Sequence, residues 1–498
     1  MPYPSRPARA TRSAARLLLL LMLLVPATTA TTAVTSAPAR AEVTADVDVP
    51  ALLRSLEACA APTRTLQRLR EHGGLDQLRL DLASGVAGVD GCRIGYTEKP
   101  GEDAHQEAYA ARSSGRSGST GSARGRVPSA RTVSTLSSRP GAPLTIFLDI
   151  DGADLRGTPF ADAGRRAGPV DYDGRPGKMS RLERRIVWEA WQVVASLYAP
   201  YRVNVTTKEP SRARLVRSSA DDRRYGTRVV ITTDHPQEKR CGCAGQAYLG
   251  AFDDPSADQL RYRTAMVFGG YLASRLPEDG SRIGKSLGTS AAHEVGHQVG
   301  LVHDGQRRRA GSVDGYYDGN DVWAPVMGGV DYQPLAQFDD GSYPRATSDQ
   351  DDLAVIASVL GQVRDDHPGR ARKGDRIRLG RAVGGVLGGH DRDAFTLRLG
   401  RTTKVRLNAW PVGRFSPLDL SLRLTDRRGR TLRRVNPATR KADATRAVGT
   451  GAGTTLRLRR GTYRIVLAGG PAKARGGRVL ADAYGSDGRY RFVARRAR

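Results

Sequence analysis

The run His293-Glu294-Val295-Gly296-His297-Gln298-Val299-Gly300-Leu301-Val302-His303 constrains this chain more than any other stretch. Two histidines four residues apart share one face of a helix and can grip one metal ion. Glu294 sits beside the first of them, placed to take a proton from a metal-activated water. His303 follows six residues after His297, and on a continuous helix it would point away from the metal. The helix must therefore stop and the chain swing back. Gly300 supplies that turn, because glycine accepts the left-handed conformation that ends helices. A bare HExxH is only a hint. With 8 His and 57 Gly in 498 residues, the added glycine and third histidine multiply the odds against coincidence by roughly 500, positions taken as independent. The plain alternative is a buried core helix whose histidines are merely hydrogen-bonded. Three of the eight histidines falling in one short window speaks against it.

The whole pattern, HExxHxxGxxHD with Asp304 as its last residue, resembles the signature of the metzincin zinc endopeptidases, which carry a later methionine turn. Trp323-Ala324-Pro325-Val326-Met327-Gly328-Gly329 resembles that turn, with Met327 following His303 by 24 residues. The resemblance covers residues 141–365. It implies zinc held by His293, His297 and His303, with Glu294 as the catalytic base. It also implies supporting roles for Gly300, Asp304 and Met327, the methionine lying beneath the histidines as an apolar floor. Asp304 looks like the adamalysin/reprolysin branch, since astacins carry Glu at that position and serralysins Pro. Tyr332 is a candidate to lean over the zinc, as a tyrosine of the methionine turn does in astacins. Its spacing from Met327 differs here, and ordinary packing is the better reading.

The compartment follows from the N-terminus and the cysteines. Arg6, Arg9, Arg12 and Arg16 precede an apolar core from Leu17 to Val25, too short to span a bilayer. Ala39-Arg40-Ala41 offers a cleavage site, and an earlier cut after Ala30 is a second option. Residues 1–41 therefore read as a signal peptide, and the mature protein as secreted and extracellular, without a membrane anchor. Cys59, Cys92, Cys241 and Cys243 make an even count, which in an exported protein favours disulfides. Cys59–Cys92 is the first expectation, leaving Cys241 and Cys243 as a local pair or linked elsewhere. A sharper and less favoured idea is that an N-terminal cysteine caps the zinc as a latency switch. The net charge of +28 is carried mostly by arginine. It suits attraction to an anionic cell-surface polymer, but the arginines are dispersed and no nucleic-acid motif accompanies them.

Composition and periodicity then divide the chain. Residues 42–104 show helical spacing, as at Leu52, Leu53, Leu56, Leu66 and Leu69. A Ser/Gly/Arg-rich stretch from Ala110 to Pro140 cannot bury enough apolar area to fold and reads as an exposed, cleavable linker. Residues 42–140 together read as a zymogen's pro-region, an accessory domain being the alternative. Residues 141–365 hold an apolar strand at Leu144-Thr145-Ile146-Phe147-Leu148-Asp149-Ile150 and a helix over 181–198. Further strands are expected at 202–206, 228–232, 247–252 and 265–268. By analogy one of the last two is the sheet edge on which an extended peptide adds itself. A helix beginning at Gln350-Asp351-Asp352 closes this domain.

From residue 376 the period changes to two, as in Phe395-Thr396-Leu397-Arg398-Leu399 and Leu420-Ser421-Leu422-Arg423-Leu424. Residues 376–498 therefore read as a β-sandwich. Asp391-Arg392-Asp393-Ala394-Phe395 and the Gly-Thr-Tyr at 461–463 resemble the bacterial pre-peptidase C-terminal-type domain of secreted proteases. Calcium at Asp391 and Asp393 is conceivable but unsupported, because two carboxylates are a weak signal. The fold class expected is α+β, a metzincin-like catalytic domain followed by an all-β sandwich. The expected function is a zinc-dependent endopeptidase acting on protein or peptide substrates. The alternatives are a zinc hydrolase of non-peptide amides and a non-catalytic cationic surface-binding protein. Because the zinc motif lies wholly before residues 366–375, the two domains are expected to be separable there.

Overall fold

The computed structural model describes residues 48–98, 127–256, 259–276, 282–309, 311–329 and 333–497. The signal-peptide reading, Tyr332 and most of the Ser/Gly/Arg stretch lie outside these residues. A seven-stranded mixed sheet organises the first part of the chain. Its strands are β1 (Ala87–Asp90), β2 (Arg93–Thr97), β3 (Leu144–Asp149), β4 (Val203–Thr206), β5 (Gly226–Thr232), β6 (Gly245–Tyr248) and β7 (Thr264–Phe268). In space they run β1-β2-β6-β7-β5-β3-β4. β4, β3, β5 and β7 are mutually parallel. β3 and β7 are buried along their whole length, as the near-continuous apolar sequence of a parallel strand requires. β6 then reverses direction against β7, and β2 reverses again against β6.

Two helices make the core beside that sheet. α5 (Arg181–Leu197) starts at a full capping box between Ser180 and Glu183, which satisfies two of the amide groups a helix start leaves unpaired. Its Ile186, Val187, Ala190, Val193 and Val194 fall at helical spacing and are buried in one cluster with Ile146, Leu148, Val229 and Ile231. α6 (Ile283–Val299) carries His293, Glu294 and His297, and Leu287, Ala291, Ala292, Val295 and Val299 join the same cluster. Truncating one such residue, Leu287→Ala, should cost about 2–5 kcal/mol through lost transfer energy and the cavity left behind.

Three elements differ from the sequence reading. Residues 42–104 were expected to be helical, and α1 (Val49–Glu57), α2 (Ala60–His72) and α3 (Leu75–Ala83) are present, but the hairpin β1–β2 follows them. The alternation in Ile94-Gly95-Tyr96-Thr97 is a strand signal too short to stand out. Residues 127–140 do not continue a linker. They form the short helix α4 (Ala130–Val133), bury Val133 in the main core and pair with β4 through Ser138 N–H to Val205 O at 3.0 Å. The strand expected over 247–252 ends at Tyr248. There Gly250 turns at a φ of 68°, and the Gly250 and Phe252 amides donate to the carbonyls of His297 and Gln298.

The C-terminal part is a pair of facing sheets. Its strands are β8 (Asp375–Ile377), β9 (Ala382–Leu387), β10 (Arg392–Leu399), β11 (Thr403–Pro411), β12 (Leu420–Asp426), β13 (Thr431–Val435), β14 (Ala452–Leu458), β15 (Gly461–Gly469) and β16 (Gly488–Arg496). One sheet is β8-β10-β15-β12-β13 and the other β9-β16-β11-β14. Alternate residues such as Phe395, Leu397, Leu407, Leu422, Ile465 and Phe492 fill the space between them. The sandwich is also docked on the first part. Tyr484 and Phe415 enter the main core, and Ala472 and Ala481 pack with Trp323, Leu335 and Tyr343 around the methionine turn. The junction at 366–375 therefore does not divide two independent surfaces.

Candidate metal centre

α6 places His293 and His297 one turn apart, and Gly300 returns the chain toward them. Gly300 has a φ of 111°. Its amide donates to His297 O, and the Leu301 amide reaches back to Gly296 O, a Schellman closure that only a residue tolerating positive φ completes without strain. This closure sends His303 back beside the two helical histidines. The ring centroids of His303 lie 5.3 Å from His293 and 4.9 Å from His297.

The side-chain tautomers are set by main-chain carbonyls. His293 Nδ1 donates to Val326 O and His297 Nδ1 to Leu301 O, each at 2.8 Å. A carbonyl only accepts, so on a neutral ring the Nε2 lone pair must point inward. Inside, the three Nε2 atoms meet one carboxylate. Glu98 lies 3.1 Å from His293, 2.9 Å from His297 and 3.1 Å from His303. The four candidate ligand atoms all fall within 4.8 Å of one another, and all four residues are buried. Lone pairs facing a carboxylate need a positive centre between them. His293 Nε2 has no aligned hydrogen bond, and both Glu294 oxygens are buried without a partner. A metal ion could be held by this donor set.

Electrostatics give the same picture. Burial opposes the charge on Glu98, yet His303 and His293 hold its carboxyl well below the usual range. Burial alone would lower His303, but Glu98 and Asp81 lift it to about 10. His297, buried as deeply, is pushed down to about 4. Burial, followed by the charge of Glu98, pushes Glu294 well above the carboxylate range.

Asp304 and Met327 brace the site from behind. The Asp304 amide donates to Met327 O at 2.9 Å, and its carbonyl accepts from Tyr317 at 2.7 Å. Its side chain is buried and one oxygen is unpartnered. Met327 is fully buried, and a β-carbon on Gly296 would stand 2.5 Å from its sulfur. The glycine inside the motif therefore lets the methionine sit against the helix between the two histidines. Gly245 of β6 plays a similar part for Glu294, whose Oε1 would lie 2.0 Å from any β-carbon there. His293, Glu294, His297, His303, Gly300, Asp304 and Met327 are thus all brought together.

Four residues of the site were not foreseen from sequence. Glu98 enters from the N-terminal region. Tyr316 donates to Glu98 Oε2 at 2.8 Å. Tyr96 stacks on His297 with centroids 4.0 Å apart, and its hydroxyl donates to buried Asp81 at 2.9 Å. Asp81 in turn lies 3.4 Å from His303 Nδ1. The cysteine-switch idea fails: Cys59 pairs with Cys92 and Cys241 with Cys243, so none of the four has a free thiol. Elsewhere, Asp391 and Asp393 meet a third carboxylate, Asp365, with ligand oxygens within 4.8 Å.

No family model matches this sequence, and no curated protein matches it. Among solved structures, the chain is similar to the pre-peptidase C-terminal domain of a collagenase from Bacillus anthracis at 13% identity. That match has a TM-score of 0.18 and covers 26% of this chain and 100% of that one. It is also similar to PliG of Aeromonas hydrophila, a periplasmic inhibitor of g-type lysozyme, at 11% identity and a TM-score of 0.16. Here the cover is 24% of this chain and 94% of the other. Among the described residues no helix is long and apolar enough to cross a membrane.

Proposed function

We propose that this chain is an exported, zinc-dependent endopeptidase of metzincin type. The observation that carries the reading is the inward convergence of His293, His297 and His303 Nε2 atoms, two of them fixed by carbonyls behind, with unpartnered Glu294 beside them. Three imidazole nitrogens suit zinc in a catalytic site. When bound there, zinc polarises a carbonyl and acidifies a water. Glu294 takes the proton and hands it to the leaving amine, a role that needs a carboxylate free of other partners. The Tyr316 hydroxyl faces the place now held by the Glu98 carboxylate. It is therefore aimed at an oxygen that gains charge during the reaction.

A peptide is the favoured substrate because β6 accepts a neighbouring strand through main-chain hydrogen bonds, as its pairing with β2 illustrates. The two disulfides agree with export. On the sandwich, Arg423 stands directly opposite Arg434. Like charges in that position are unfavourable, which supports attraction to an anionic cell-surface polymer.

Two measurements test the assignment. Mass spectrometry of the native protein should find about one zinc per chain, removed by chelation and largely lost in His303→Ala. Glu294→Ala should keep its zinc and lose about two to four orders of magnitude in peptide turnover. Turnover that survived chelation, or a Glu294 variant that lost the metal, would sink this mechanism.

A further inference from the structure

The edge that would receive a substrate is already filled by the chain itself. β2 lies antiparallel on β6, with Gly95 opposite Tyr248, Tyr96 opposite Ala247 and Thr97 opposite Gln246. The pairing runs one residue further. The Glu98 amide donates to Gly245 O at 3.0 Å, and the Glu98 carbonyl accepts from Ala244 at 2.8 Å. Held through both its amide and its carbonyl to Ala244–Gly245, Glu98 turns its carboxylate onto all three histidines and Tyr316. An incoming peptide would need both the β6 edge and the space in front of the histidines. Neither is free.

We propose that Arg93–Glu98 is a built-in occupant of the active cleft and that Glu98 is the fourth ligand of the metal, so that the full chain is latent until this strand is withdrawn. This rests on the zinc peptidase reading above. A catalytic zinc keeps one position open for water or substrate, and a carboxylate delivered to that position closes it. Both cysteines of the N-terminal region are tied to each other, so a carboxylate is the ligand that region offers.

The attachment is firm but reversible in principle. Arg93 pairs with Asp254, both side chains buried, and Arg68 pairs with Asp253. Val302, next to His303, and Leu249 share an apolar cluster with α1, α2 and α3. No disulfide crosses from residues 48–98 to the rest: one bond joins Cys59 to Cys92, the other Cys241 to Cys243. A single cut between residues 99 and 126, where the sequence is rich in Ser, Gly and Arg, leaves only noncovalent contacts to break.

The test uses the full-length chain with cobalt(II) in place of zinc, comparing wild type, Glu98→Ala and the near-isosteric Glu98→Gln. Glu98→Ala removes the bond that ties the strand to the ion and so loosens its hold on β6; it should keep the ion, change the visible absorption of the cobalt, and hydrolyse a quenched peptide at least about tenfold faster than wild type, equivalent to about 1.4 kcal/mol. Glu98→Gln should shift in the same sense and serves as the arbiter if the alanine variant misfolds. Cobalt spectra identical in all three proteins would overturn the ligand assignment. Loss of the ion from a folded Glu98→Ala protein would also overturn the proposal, because Glu98 would then belong to a permanently closed site. A changed spectrum with no peptide hydrolysis in any variant would keep Glu98 as a ligand while refuting latency and the peptidase reading together. A changed spectrum with equal, measurable hydrolysis in wild type and variants would refute latency alone.

Discussion

The two ends of the chain meet the central domain in opposite ways. Residues 48–98 borrow part of a small core: the apolar cluster around Leu56, Leu66, Leu69 and Leu78 is completed by Leu249 and Val302 from the host. Their last strand finds its outer partner in β1 and its inner partner in β6. The sandwich instead draws its main cluster wholly from residues 377–494 and meets the host through Phe415, Ala472, Ala481 and Tyr484. A segment with a borrowed core is ordered by its host and can be displaced. A segment with its own core stays folded wherever it is carried. The difference fits a removable occupant at one end and a permanent attachment at the other.

The largest effect expected of that difference appears when the two ends are produced alone. Residues 376–497 should melt cooperatively and give dispersed amide NMR signals. Residues 48–98 should not, even with Cys59–Cys92 formed. A domain of this size buries too little surface to stand by itself, and one disulfide adds only about 2–4 kcal/mol. A stably folded N-terminal fragment would mean that its core is not borrowed, and the contrast between the two ends would fall.

Within the site, the contrast predicts that Tyr316 serves whichever carboxylate or oxyanion faces the histidines, the chain's own or a substrate's. In protein freed of residues 48–98, or in the Glu98→Ala background, Tyr316→Phe should lower kcat by about 100-fold, near the lower end for loss of one donor to an oxyanion. KM should change little, because a donor used mainly in the transition state contributes little to ground-state binding. A raised KM with unchanged kcat would make Tyr316 a binding residue only.

Sequence made the metal helix legible and hid its partners for one physical reason. His293, His297 and Gly300 are local: helical period and a helix-ending glycine act over a few residues, so spacing alone carries them. The alternation of Phe395, Leu397 and Leu399 with Thr396 and Arg398 is equally local and marked the sandwich. Glu98 is separated from His297 by 199 positions, and no periodicity links a carboxylate at the end of one short strand to a helix that far away. Tyr316 sits in a loop, where no period operates. The small strand Arg93–Thr97 offered a faint clue, since a β-branched and an aromatic residue follow a cysteine there, but only the pairing with β6 gave it meaning. Residues 127–140 misled for the reverse reason. Their composition resembles a linker, while Val133 and Ser138 are claimed by contacts with β4 and the core.

The smallest effect belongs to the seam between sandwich and host. Tyr484, from the sandwich, accepts a hydrogen bond from the Leu353 amide at 2.8 Å and donates to Asp351. Those groups lie at the start of α7 (Asp352–Leu360), where Asp351 is the cap. A helix start leaves amides unpaired, and here a residue from another domain pairs one of them. The ring itself is buried in the main core. Tyr484→Phe keeps the ring and deletes both bonds, leaving a buried amide unsatisfied, so it should cost about 1–3 kcal/mol in the unfolding of the central domain. The melting of the isolated sandwich should move much less, because its own cluster does not contain Tyr484. The same variant should leave metal content unchanged, since the histidine ring beside Tyr484 is that of His390 and not one of His293, His297 and His303. Equal destabilisation of the isolated sandwich and the whole chain would show that Tyr484 holds the sandwich together rather than the seam, and that the C-terminal end, too, is less self-sufficient than its closed core suggests.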